Sequence, residues 1–135
     1  MNVFLDTNVL VSAFATRGLC ADVFRLVLAR HDLSISRQVI VEFRRVLKRK
    51  FSVPDMLAEE FITFLQEARV VPSPRPPFPH TVRDADDAAV LAAAIRARCD
   101  VLISGDPDLL DIAATVSELR ILSPRQFWEL HRTGA

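Results

Sequence analysis

The chain has 135 residues, half of them hydrophobic, which suits one domain with a sizeable core. Seventeen basic and seventeen acidic residues cancel, so bulk charge points to no class of partner. Two distant cysteines, Cys20 and Cys99, make neither a disulfide framework nor a zinc motif. The start MNVFLDTN has no basic or long apolar region of a signal peptide, and no run of about 18 apolar residues could span a membrane.

Val3-Phe4-Leu5 is continuously apolar, as in a strand covered on both faces, and Asp6-Thr7-Asn8 ends it. A short helix is expected around Val9 to Phe14, with a turn at Gly18. Val23, Phe24, Leu26, Val27 and Leu28 give residues 20–30 a helical pattern. Leu33 to Ser36 reads as a short strand, and Ser36 caps a helix from Arg37 to about Lys50. Pro54 opens another helix to about Ala68, followed by a short strand at Val70 and Val71. The stretch PSPRPPFPH, residues 72–80, holds five prolines in nine positions, which excludes a helix or a central strand and predicts an exposed, rigid connector. Beyond it, Ala85 to Arg98 reads as a helix, Val101 to Ser104 as a strand and Asp106 to Ile112 as a short helix. Arg120 to Leu122 is the last strand, and Pro124 starts a terminal helix carrying Phe127, Trp128 and Leu130. Alternating strands and helices predict an α/β fold: a three-layer α/β/α sandwich around a mostly parallel, twisted sheet. Reduced thiols and a cytoplasmic location are expected.

In such sheets, ligands bind outside the carboxyl ends of the strands. Asp6 ends the first strand and Asp106 lies just past the strand at 101–104. Glu42 borders the apolar stripe of Val39, Ile40, Phe43, Val46 and Leu47, although it could equally pair with Arg45 at the surface. Asp87 shares the face of Val90 and Leu91 in the first turn of its helix, where the helix dipole alone would favour an acid. Asp84 can cap that helix, and Asp86 is expected to face solvent. If Asp6, Glu42, Asp87 and Asp106 share one rim, they repel one another, and burial raises the cost. A hard cation such as Mg²⁺ or Mn²⁺ would relieve this. No histidine or cysteine adjoins these motifs, which argues against zinc, and His31, His80 and His131 are expected at the surface. A carboxylate-bound cation suits phosphodiester hydrolysis. Thr7, Asn8 and Ser104 are placed to orient the acids, though local turn and cap bonding would also account for them.

Taken together, FLDTNVLVSAF, SRQVIVEFRRVL and DADDAAVLAAAIRARCDVLISGDPDLL resemble the PIN-domain family, and within it the VapC-type toxins of prokaryotic toxin–antitoxin pairs. The resemblance covers nearly the whole chain and implies a single PIN-like domain over residues 1–135. It further implies a Mg²⁺- or Mn²⁺-dependent endoribonuclease, with Asp6, Glu42, Asp87 and Asp106 as its catalytic acids and Asp6, Asp87 and Asp106 as metal ligands. Asp84 and Asp108 are secondary candidates. Ser104 stands where many relatives carry Thr, which keeps the hydroxyl. RNA is the implied substrate, and Arg44, Arg45, Lys48 and Arg49 are candidates to contact its phosphates, against the alternative of a solvated basic face. A cognate antitoxin and a homodimer are the implied partners. Two other readings compete. One is a non-catalytic PIN-like module that only binds RNA or protein. The other is an aspartyl-phosphate phosphotransfer enzyme, which would want a second acid where Asn8 stands.

Overall fold

The structure, a computed structural model, describes residues 1–132. Five strands, β1 (Asn2–Leu5), β2 (Asp32–Ser36), β3 (Arg69–Val71), β4 (Val101–Ile103) and β5 (Arg120–Leu122), form one sheet in the order β3-β2-β1-β4-β5, with every pairing parallel. Parallel neighbours need crossovers, and the intervening segments supply them: α1 (Thr7–Ala15), α2 (Leu19–Arg30), α3 (Arg37–Phe51), α4 (Asp55–Leu65), α5 (Ala85–Arg96) and α6 (Pro107–Leu110), with α7 (Pro124–Arg132) after the last strand. The chain steps outward from β1 to β3, then returns across β1 to β4 and β5. Right-handed crossovers taken in opposite directions put helices on both faces, giving the expected three-layer sandwich.

The central strands are apolar because both their faces are covered: Val3, Phe4, Leu5, Val101, Leu102 and Ile103 are all buried. On one side α1, α2, α3 and α4 pack together around a set of aromatic rings. Phe61 is its hub, with ring centroids 4.9 Å from Phe14, 5.4 Å from Phe43 and 5.7 Å from Phe24. On the other side α5 packs against β2 and β4, and Ala88, Val90, Leu91, Ala92, Ala93 and Ala94 bury most of its circumference. Small residues let this helix sit close to the sheet.

Element boundaries shift where a side chain or backbone group ends an element early. Helix α1 begins at Thr7 rather than Val9, because the Asp6 carboxylate accepts the Thr7 N–H at 2.8 Å and caps it. Helix α4 stops at Leu65 rather than Ala68, since β3 already starts at Arg69. Helix α5 ends at Arg96 because Arg98 adopts a left-handed conformation, φ 57°, and the Cys99 N–H returns to the Ala94 carbonyl. The short helix after β4 breaks at Leu110, and a separate 3₁₀ turn covers Ala113–Thr115.

The connector at 72–80 is a strap pinned to the body. Arg96 donates to the carbonyls of Arg75 and Pro77, both at 3.2 Å, and the His80 ring meets the Glu118 carboxylate at 2.9 Å. The three histidines are therefore not simple surface groups. His31 and His131 lie ring to ring, with Nε2 atoms 2.7 Å apart, half-buried against Phe127, because α2 and α7 pack side by side; His80 is half-buried and hydrogen-bonded to Glu118. Cys20 and Cys99 are free, and burial pushes both thiols up, the less reactive direction. No helix among the described residues is long and apolar enough to cross a membrane.

Candidate active site

The pairing of Leu5 with Ile103 sets the end of β1 beside the end of β4, where the chain order switches direction. That register brings Asp6 next to Ser104 across 98 positions of sequence, and the Ser104 hydroxyl donates to Asp6 Oδ2 at 2.7 Å. With the Thr7 N–H on Oδ1, both oxygens of this carboxylate are held, and the residue is only 4 % exposed. Ser104 Oγ also accepts the Asp106 N–H at 3.0 Å, so one hydroxyl orients two acids. Asp106 caps α6 through the Asp108 N–H at 2.9 Å.

The other acids arrive from helix faces. Asp84 Oδ1 accepts the N–H groups of Asp86 and Asp87 at 2.8 and 3.1 Å, which fixes the first turn of α5. Of the three acids there, Asp84 is spent as a cap, Asp86 is exposed and Asp87 is buried. Glu42 on α3 does not pair with Arg45. Its Oε2 accepts the Thr7 hydroxyl at 2.9 Å and its Oε1 accepts Gln38 Nε2 at 3.0 Å. Gln38 also reaches the Asp86 carbonyl at 3.3 Å, tying α3 to the start of α5. Gln38 is a site residue that the acid motifs do not point to. The signal was its place one turn before Glu42, on the same helical face.

Asp87, Asp106 and Asp108 can each bring a carboxylate oxygen to within 4.8 Å of the other two. Asp6 is not in that triplet but faces it. Burial raises its carboxyl above the ordinary range, the bonds from Ser104 and Thr7 offset part of this, and repulsion from Asp106 and Glu42 adds to it. Asp87 is pushed up to about 8, first by burial, then by a hydrogen bond and repulsion with Asp106, and then by Asp6 and Asp84. The cluster thus keeps a proton at neutral pH that ordinary carboxyls would lose. Its donors are all oxygens, with no His or Cys among them. This set suits a hard divalent cation, whose charge would take over the role of that proton. Asn8 is exposed beside the rim.

Of the basic residues on α3, Arg44 is committed elsewhere: its guanidinium grips Glu59 with two bonds, 2.8 and 3.0 Å, which hold it above its ordinary value. Arg45, Lys48 and Arg49 are exposed. Asp6 and Asp87 are buried, and Asp106 and Asp108 are half-buried. Two clefts lie elsewhere, one of about 470 Å³ between Leu28, His31 and Phe64 and one of about 520 Å³ under the strap.

A family described as PIN domain matches residues 2–108. No curated protein sequence matches. Among solved structures, the fold is similar to a chain in VapBC2 from Rickettsia felis, bound to a DNA fragment from its promoter, with a TM-score of 0.64 and 14 % identity over 91 % of this chain and 98 % of that one. It is similar to VapC20 of Mycobacterium tuberculosis, a toxin that cleaves the sarcin–ricin loop, at 0.61 and 18 % identity over 87 % and 98 % of the two chains. VapBC-1 from nontypeable Haemophilus influenzae gives 0.61 and 17 % identity over 93 % and 99 %.

Proposed function

The chain belongs to the PIN-domain family, and on that premise we propose that it is a Mg²⁺- or Mn²⁺-dependent endoribonuclease, the toxin of a toxin–antitoxin pair. One observation carries this reading: Asp87, Asp106 and Asp108 can bring carboxylate oxygens within 4.8 Å of one another, and Asp6, held by Ser104, and Glu42, held by Thr7, repel the same set. Such a cluster is costly unless a cation uses it.

In this reading Asp6, Asp87 and Asp106 hold the cation, with Asp108 beside them. When bound, the ion supplies charge neutralisation and a water of lowered pKa. The chain's own residues do the positioning. Ser104 and Thr7 fix both oxygens of Asp6, so the carboxylate does not have to be ordered when the ion arrives. Thr7 and Gln38 fix Glu42, which accepts the proton of the attacking water. The water oxygen bonds to phosphorus, the bond to the leaving ribose oxygen breaks, and that oxygen takes a proton from solvent. The neighbours VapBC2 and VapBC-1 are complexes, which supports an antitoxin as partner, and a homodimer is part of the same reading.

Single-turnover hydrolysis of RNA tests the reading. Cleavage is expected with Mg²⁺ or Mn²⁺, is abolished by EDTA and falls to background in Asp6→Asn. Cleavage that survives both EDTA and that substitution would reject it.

A further inference from the structure

Three residues past the strap that crosses α5, Arg83 stands directly before the Asp84 cap. Its guanidinium lies 3.7 Å from Asp108 Oδ1, and the side chain is 85 % exposed. Among the described residues, this is the ion pair that reaches the Asp87, Asp106 and Asp108 set. The geometry points to Arg83 as an RNA-phosphate contact at the edge of the acid rim, a role that rests on the nuclease reading above.

Two features separate this arginine from the others. At 3.7 Å its contact with Asp108 is too long for a hydrogen bond, so charge keeps the guanidinium near the rim without occupying its donors. Arg44 shows the contrast: two short bonds to Glu59 commit its fork to a structural pair. The backbone at Arg83 is also held. Asp84 on one side caps α5 and His80 on the other is pinned to Glu118, so the side chain starts from a fixed place although its tip is free. A cation held by Asp6, Asp87 and Asp106 would offset their charge, and a phosphodiester approaching the rim would still meet Glu42 and Asp108. A guanidinium beside Asp108 offsets that repulsion and offers a planar fork to a phosphate oxygen. Arg45 and Arg49 lie three and seven residues beyond Glu42 on α3 and are exposed. A strand crossing from α3 to the strap would pass over the acids between them.

The test uses the full chain carrying Asp6→Asn, which keeps RNA intact, and fluorescence anisotropy of a short labelled single-stranded RNA in Mn²⁺ at several KCl concentrations. Adding Arg83→Gln is expected to weaken binding about tenfold, the scale of one charge-assisted contact. It should also flatten the log–log salt dependence by about 0.7, the loss of one phosphate contact on a single strand. Arg83→Lys restores the slope and part of the affinity. Mn²⁺ affinity, read by calorimetry without RNA on Arg83→Gln with Asp6 intact, stays unchanged or rises, since one repelling cation is removed. Equal RNA binding and salt slope with and without Arg83 overturn the proposal, as does a fall in Mn²⁺ affinity that accounts for the weaker RNA binding. If the unsubstituted chain cleaves no RNA under any metal, the nuclease reading fails, while the binding comparison still decides on Arg83.

Discussion

Ser104 shows how much one hydroxyl does at this site. It donates to Asp6 and accepts from the Asp106 backbone, so removing it loosens two acids at once. Ser104→Ala should weaken Mn²⁺ binding about 10- to 100-fold, the usual cost of losing an orienting partner of a ligand, and Ser104→Thr should restore it; calorimetry reads both. Asp87 sets a pH dependence of stability. Its carboxyl rises from 3.8 to about 8 in the folded chain. Between those values the folded state holds a proton that the unfolded state has lost, so stability falls as pH rises through this window. Asp6, raised in the same direction, adds to the slope. Metal-free protein should therefore melt at progressively lower temperature from about pH 4 to pH 8, and Asp87→Asn should flatten the trend. A melting temperature that rises over that range would contradict the assigned cluster.

At the scale of elements, α3 and α5 deliver their acids because each has one face fixed by packing. Phe43 is fully buried one residue after Glu42 and contacts the Phe61 ring, so Phe43→Ala should cost about 3–5 kcal/mol by urea denaturation. Periodicity revealed both helices, since apolar spacing follows the buried face directly. Their ends were less legible. Asp6 serves as site residue and as helix cap, and this double use moved the start of α1. Arg98 ends α5 through a backbone conformation that most residues avoid, so its identity gave no warning. Glu42 was ambiguous because its partners, Thr7 and Gln38, include a residue 35 positions away that no local pattern connects to it.

Across the whole molecule, the sheet order turns scattered acids into a cluster. Alternating patterns announced strands and helices, but nothing in periodicity says that β4 lies beside β1 rather than β3. The sequence leaves that neighbour relation as a condition; the sheet order meets it and sets Asp6 against Ser104. The histidines failed for the same reason: the His31 and His131 contact spans 100 positions and depends on α2 meeting α7. If the rim is a cation site, saturating it should stabilise the entire fold. At a hundredfold excess over the dissociation constant, Mn²⁺ adds about 2.7 kcal/mol, visible as a rise in melting temperature that EDTA reverses and Asp106→Asn removes.

The 98-residue separation between Asp6 and Ser104 bears on when the protein gains its chemistry. A growing chain on the ribosome can make β1, α1 and α3 early, yet it has no counterpart for Asp6 until β4 emerges. A cation site built from these acids would therefore be complete only after β4 and the turn behind it emerge, and a truncated product that ends in the strap carries the first acids with nothing to complete them.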